Sequence, residues 1–137
     1  MRRHALAAAL ALALPHGALA GPSAEAARAA LEGRAGAFEV AAARLGATAH
    51  AAPSDVEARF GEGLLLFARA VERWGQTQYR QGLRPPQGLG LIVPLMRLPV
   101  PENPAPEVVT YERQRETLKQ FLDDLTAARA ALEKVKG

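Results

Sequence analysis

The sequence predicts an all-α protein with three long helices and a long proline-rich extended crossover between helices two and three. Three stretches repeat apolar residues at helical spacing. Between the second and the third, residues 82–106 contain seven prolines, which fix the backbone φ angle and exclude a helix. The same segment is rich in leucine, isoleucine and valine, so we expect it to pack against the helices.

The first 20 residues have the features of a signal peptide. A basic start precedes the apolar run of residues 5–14, and Ala18 and Ala20 are small residues ahead of the expected cleavage site. The run is about half of the roughly 20 residues needed to span a bilayer. We therefore expect residues 1–20 to be removed, and residues 21–137 to form a single helical domain that is exported, periplasmic or extracellular, with no membrane span.

The charge of the mature chain is close to zero. Removing the two arginines of the first 20 residues from the 17 basic residues leaves 15, against 14 acidic ones. The two signs are interspersed, whereas nucleic-acid binding requires a one-sided basic surface. The chain has no cysteine, so neither a lipid anchor nor a disulfide is expected and stability must come from packing. We expect no nucleic-acid partner.

Helix one is predicted from Ser23 to about Leu45, with Ser23 as the N-cap. Alanine is frequent in this stretch, and three large apolar residues recur every seven positions. These are Leu31, Phe38 and Leu45. The C-terminal boundary of this helix is predicted to begin at Gly46, and residues 47–53 are predicted to be a connector of small residues.

Helix two is predicted to begin at Ser54, whose hydroxyl would form a capping box with Glu57. Its apolar seam alternates spacings of four and three residues, and neighbouring leucines widen it, so this helix is expected to be central and to contact more than one neighbour. The seam comprises Phe60, Leu64, Phe67, Val71, Trp74 and Gln78. The helix should end near Gln81, because Gly82 suits the left-handed position of a Schellman turn closed by Leu83.

Helix three is predicted to follow Thr110 as the N-cap and to carry two rows at heptad spacing. One row is Tyr111, Leu118, Leu125 and Leu132, and the other is Gln114, Phe121, Ala128 and Val135. The crossover is long enough to run the length of helix two and back. Helices two and three can therefore be parallel or antiparallel. Within the crossover, we expect Leu95 and Leu98 to face the helices, and Arg84 and Glu102 to face solvent.

No constellation of residues points to catalysis, a cofactor or a metal site. His50, in the predicted connector, is the one histidine that remains after signal removal. Asp123 and Asp124 are an adjacent carboxylate pair, but consecutive helix residues point about 100° apart and cannot act together. No phosphate loop, nucleophile elbow or zinc motif occurs. We therefore predict that the chain is not an enzyme, and we expect both aspartates on a solvated helix face.

The segment from Trp74 to Arg80 is the most distinctive helical part. Its aromatic residues and glutamines either line a groove for a small molecule or peptide, or form core and boundary positions with the glutamines capping crossover carbonyls. The second interpretation is favoured. The candidate partner or ligand surface joins this segment to the crossover and comprises Trp74, Gln78, Tyr79, Leu91, Ile92, Val93, Leu95 and Met96.

Residues 64–132 resemble the N-terminal helical part of larger exported bacterial proteins that have no assigned function. The resemblance is carried above all by the run Arg80 to Tyr111, which includes PLMRLPVPENPAPEVVTYE at its end and just beyond. It implies an all-helical exported module with a proline-rich crossover, and it carries over no catalytic residue. In those proteins more sequence follows the last helix, which implies that this chain is a short or truncated member.

Together these features predict an exported helical interaction or structural module. The expected partner is another protein or a second copy of the chain, bound by the crossover and the groove between helices two and three. The alternative is a carrier of a small apolar ligand, held between the helices and covered by the crossover. The identity of the partner and the oligomeric state stay open.

Overall fold

A computed structural model describes residues 29–30, 32–33, 36–83, 98 and 100–135. This part of the chain contains three long α-helices and no strand. The helices are α1 (Ala37–Ala51), α2 (Val56–Arg80) and α3 (Tyr111–Glu133). The predicted all-α class is therefore confirmed for the described residues. The predicted signal peptide and residues 84–97 of the predicted crossover lie outside them.

The predicted end of helix one is wrong, and the predicted helix is interrupted near Gly36. Residues 29, 30 and 32 are helical, and the predicted start at Ser23 lies outside the described residues. Helix α1 begins only after Gly36, which has a φ of +87°, a left-handed conformation that glycine adopts at little cost. It then passes through Gly46 and continues to Ala51, because the alanines of residues 47–51 favour a helix. Residues 47–51 of the predicted connector are thus the last turn and a half of α1, and His50 lies exposed within them.

The start of α2 is one residue later than the predicted capping box requires. The N-cap is Asp55, whose Oδ1 accepts a hydrogen bond of 2.8 Å from the main-chain N–H of Ala58. The prediction that Ser54 caps this helix is therefore wrong. A carboxylate at this position also interacts favourably with the positive end of the helix dipole.

The end of α2 is the Schellman turn that the sequence predicts. Gly82 has a φ of +63°, and its N–H donates to the carbonyl of Tyr79 at 3.0 Å. The N–H of Leu83 donates to the carbonyl of Gln78 at 3.0 Å. These two bonds satisfy carbonyls that the helix itself leaves without donors.

Residues 100–110 contain neither helix nor strand and return to the end of α2. The N–H of Glu107 donates to the carbonyl of Arg80 at 2.8 Å. The Asn103 side chain donates to the carbonyl of Tyr79 at 2.9 Å, so this segment supplies donors to the helix terminus. The sequence predicts the opposite arrangement, with glutamines of helix two donating to crossover carbonyls, but residues 84–97 of the crossover lie outside the described residues. Nearby, Leu98 is partly buried and Glu102 is exposed.

Helix α2 lies between α1 and α3, as its wide apolar seam predicts, and it is antiparallel to both. Toward α3, Arg59 donates to the carbonyl of Lys134 at 3.1 Å, whereas Arg73 pairs with Asp124. Residue numbers thus rise along α2 while those of its partners fall, which decides the direction that the sequence left open. Toward α1, the same reversal holds: Gly46 lies beside Glu62, and Glu39 pairs with Arg69 at 3.5 Å.

Each side of α2 has its own buried contact. On the α1 side, Leu65 is almost completely buried and clusters with Ala42 and Leu45. On the α3 side, a Cβ atom on Gly63 would lie 2.6 Å from Leu132 Cγ, so the two helices approach more closely than any side chain would allow. Small residues therefore fix the spacing of α2 and α3.

The predicted seams are only partly buried. In α2, Val71, Trp74 and Gln78 are buried, but Phe60 and Phe67 are exposed. In α3, the buried residues are Ala128 and Ala131, and the first two members of the leucine row, Tyr111 and Leu118, are exposed. The prediction that those two face the bundle is therefore wrong. The row reaches the contact with α2 only at its later members, because Leu125 is partly buried and Leu132 lies against Gly63.

Candidate functional site

An open cleft of about 310 Å³ lies between α2 and α3 at the end where α2 finishes and α3 begins. Its floor is apolar and its rim is polar. The residues that line it are Ala70, Arg73, Trp74, Thr77, Arg80, Gln81, Glu107, Arg113, Glu116, Thr117, Gln120, Phe121 and Asp124. Three arginines face three carboxylates around the rim, so the cleft carries no net formal charge.

The floor of the cleft is an aromatic stack. The rings of Trp74 and Phe121 are 4.9 Å apart at their centroids, with an angle of 29° between their planes. Trp74 is only 5% exposed. Stacked aromatic pairs add about 0.5–1.5 kcal/mol beyond the area that they bury. The stack therefore joins α2 firmly to α3 beneath the cleft.

An ion pair closes one side of the cleft. Arg73 donates to both carboxylate oxygens of Asp124 at 3.1 Å, and Gln120 donates to Asp124 Oδ1 at 3.1 Å. The Asp124 side chain is 12% exposed, so the expectation that both aspartates lie on a solvated face is wrong for this one. Asp123 instead pairs on the surface with Lys119, one helical turn away. The two carboxylates thus point to different sides of α3, as their adjacent positions require.

Two buried polar atoms at the cleft have no hydrogen-bond partner. They are Nε1 of Trp74, a donor, and Oε1 of Gln81, an acceptor. The other amide atom of Gln81 makes a long hydrogen bond of 3.4 Å to the Thr117 hydroxyl. A buried polar group without a partner costs about 1–3 kcal/mol. Both atoms are closed off from solvent, so the cleft in this conformation does not present them to a ligand.

A second groove, also of about 310 Å³, lies on another side of α2. Its walls are the end of α2 and two residues that precede α3. They are Gly75, Gln76, Tyr79, Arg80, Val100 and Pro101. Its charged side chain is that of Arg80, which also lines the first cleft.

The structure buries two of the three predicted site residues of helix two and exposes the third. Trp74 lies in the floor of the α2–α3 cleft, Gln78 is buried, and Tyr79 is 38% exposed in the second groove. Trp74 and Gln78 are four residues apart, so they lie on the same side of α2, and both are buried. Tyr79 points about 100° away from Gln78, so the three do not form one exposed surface. The other predicted site residues, Leu91, Ile92, Val93, Leu95 and Met96, lie outside the described residues.

Sequence reasoning missed the polar wall of the cleft, which consists of Arg73, Gln81 and Asp124. The available signal was periodicity: Asp124 follows Phe121 by three residues and precedes Ala128 by four, which puts it on the same helix face. Its pairing with Arg73, 51 residues away, depends on the antiparallel direction of the helices. The sequence left that direction open.

On the opposite side of α2, Glu72 contacts the start of α1. Burial of its carboxyl raises its pKa, a hydrogen bond from the main-chain N–H of Gly36 acts in the opposite sense, and the nearby charge of Glu39 raises the pKa further. The net direction is upward. The folded protein therefore holds this proton more tightly than the unfolded chain does.

The raised pKa of Glu72 predicts a pH-dependent stability. The contribution of this group is fully present below the ordinary glutamate pKa of about 4.3 and is lost as pH rises through the pKa of the folded state. We expect Glu72→Gln to remove this part of the dependence, so that the wild type loses stability relative to the variant between about pH 4 and neutral pH. Urea unfolding at several pH values measures the difference. A stability difference between wild type and variant that stays constant across that range would contradict the prediction. Glu39→Gln should reduce the pH dependence of the wild type, because the charge of Glu39 helps to raise the pKa of Glu72.

Within the part of the chain that the structure describes, no three His, Cys, Asp or Glu side chains form a group that could hold a metal ion. None of the helices described is long and apolar enough to cross a membrane. Comparison with models of protein families, with curated proteins and with solved structures finds no match to this chain. Function therefore has to be inferred from its own side chains.

Proposed function

We propose that this chain is an exported helical interaction module with no catalytic activity of its own, and that it binds a protein partner or a second copy through the outer face of α3. The observation that carries the proposal is the exposure of Tyr111, Leu118 and Leu122, which define this outer face. Their exposed fractions are 78%, 49% and 63%.

These residues belong to one surface. Their spacings of seven and four residues put them on the same side of α3, and the partly buried Leu125 continues the row toward the contact with α2. Burying one such side chain is worth about 1.5–3 kcal/mol, and contiguous exposed apolar patches are characteristic of protein interaction sites. A partner that covers the row would therefore gain several such contributions.

Replacing Leu118 and Leu122 together by glutamine tests this face. We expect the melting temperature to change little, because both side chains are exposed. We also expect the double variant to lose any dimer or bound protein that native mass spectrometry detects for the wild type. The matched control is Val40→Gln, since Val40 is 63% exposed on α1 and the change has the same chemistry. Retention of the complex in the double variant, or a wild type that is always monomeric and unbound, would contradict the proposal.

The alternative function, a carrier of a small apolar ligand, draws support from the aromatic floor of the α2–α3 cleft. Against it stand the six charged side chains among the residues that line the cleft, because apolar ligand sites contain few charges. Native mass spectrometry also separates the two functions. A carrier would retain a small apolar compound, whereas an interaction module would show an oligomer or a bound protein.

Export and the crossover are part of the same proposal. The basic start, the apolar run and the small residues at positions 18 and 20 support cleavage after Ala20, and the prolines of residues 84–97 support an extended crossover between α2 and α3. We expect the intact mass of the exported protein to correspond to a chain that starts at Gly21. An exported product that keeps residues 5–14 would contradict the signal peptide.

A further inference from the structure

The outer face of α3 continues beyond its three apolar members and ends in a charged residue. Arg129 follows Tyr111 by 18 residues, which is five full helical turns, so both lie on the same side of α3. Both side chains are largely exposed. The face therefore runs from an aromatic ring at one end, through Leu118 and Leu122, to a guanidinium group at the other.

This order of side chains matches itself when a second copy of α3 lies against it in the opposite direction. When Leu118 of each copy lies opposite Leu122 of the other, the twofold axis passes at the level of residue 120. Tyr111 and Arg129 are each nine residues from that level, so Tyr111 of each copy lies opposite Arg129 of the other. An arginine over an aromatic ring makes a favourable cation–π contact, and the twofold axis repeats it at both ends.

The flank of this face is self-complementary in charge. Lys119 and Asp123 each follow one of the two leucines by one residue, and both are exposed. In an antiparallel pair related by a twofold axis, the same flank of each helix meets the other. Lys119 of each copy then lies beside Asp123 of the other, so two pairs of opposite charge face each other across the contact.

A parallel pair would lack this complementarity. It would set each residue of the face opposite the same residue of the second copy, so that Arg115 would meet Arg115 and Arg129 would meet Arg129. Like charges opposite each other oppose association and are a common determinant of helix orientation. The charges on α3 therefore favour the antiparallel direction.

We propose that the outer face of α3 binds the same face of a second copy of this chain, in antiparallel orientation, about a twofold axis near residue 120. This choice of partner rests on the proposed function, because the surface is the same. Leu118 and Leu122 form the centre of the contact, Lys119 and Asp123 pair between copies on one flank, and Tyr111 meets Arg129 at both ends.

The direction of the pair can be measured with spin labels, because the chain has no cysteine and one introduced cysteine gives one label per copy. Ala130→Cys and Thr126→Cys place the label at exposed positions of α3. Along the helix axes of the antiparallel pair, two labels at position 130 are about 30 Å apart and two at position 126 about 18 Å apart. In a parallel pair, the two positions would give nearly the same distance. Double electron–electron resonance measures both at about 100 µM protein, above the micromolar range of weak interfaces.

An exchange of charges tests the flank. In Lys119→Asp or Asp123→Lys alone, like charges meet between the copies, and we expect the dimer to weaken about three- to thirtyfold. A mixture of the two variants should regain the affinity, because each chain then carries two charges opposite to those of the other. The matched control is Arg44→Asp, which makes the same change of charge at an exposed residue of α1 and should leave the dimer unchanged.

Equal label distances at positions 126 and 130, a purified chain that is monomeric at this concentration, or a dimer that the charge variants do not weaken would each overturn the proposal. The double replacement of Leu118 and Leu122 by glutamine separates this failure from that of the proposed function. If it releases a different bound protein while the purified chain is monomeric, the face is an interaction site whose occupant is not a second copy. If a dimer persists in the double variant, both proposals fail.

Discussion

Replacing Trp74 by alanine is expected to lower the free energy of unfolding by about 3–5 kcal/mol. The side chain is 5% exposed and stacks on Phe121, so the change leaves a cavity and removes the aromatic contact between α2 and α3. A loss of this size is a large part of the roughly 5–15 kcal/mol that stabilises a typical domain. Chemical denaturation followed by circular dichroism measures it.

The matched control for this prediction is Tyr79→Ala, which removes another aromatic ring from the same helix. Tyr79 is 38% exposed, so we expect it to cost much less. Trp74→Phe should also cost less than Trp74→Ala, because a ring is kept against Phe121 and the indole N–H without a partner is removed. Equal stability of Trp74→Ala and wild type would show that this stack does not hold α2 to α3.

Gly63→Ala is expected to destabilise the protein by about 1–3 kcal/mol through overpacking. The new methyl group would lie 2.6 Å from Leu132 Cγ and 3.2 Å from the main-chain nitrogen of Leu132, so α3 itself would have to move. A gain in helix propensity of up to about 1 kcal/mol offsets part of this cost. The midpoint of thermal or urea unfolding gives the net effect.

The control for this second prediction is Gly46→Ala, at a glycine inside α1. There the new methyl group would lie 2.7 Å from Glu62 Oε1, the end of a flexible side chain that can move aside. We expect this variant to be as stable as wild type or more stable. Leu132→Ala should partly rescue Gly63→Ala in a double-mutant cycle. If both glycine variants behave alike, close packing of α2 against α3 is not what requires Gly63.

Local signals in the sequence determined where α2 ends and where α3 begins. Gly82 supplies the left-handed residue of a Schellman turn, and the Thr110 hydroxyl accepts from the N–H of Arg113 at 3.2 Å. Both depend on residues within a few positions of the helix end, so periodicity and capping rules are sufficient. The same rules misplaced the end of α1, because the alanines that follow Gly46 favour a helix and α1 continues to Ala51.

The sequence by itself determined the all-α class, the central position of α2 and the burial of Trp74, since each follows from the spacing of apolar residues. Only the tertiary structure decided which face of α3 meets α2. That choice depends on packing such as the close contact of Leu132 with Gly63, which is a property of two helices together. It leaves Tyr111 and Leu118 exposed and brings Asp124 to Arg73.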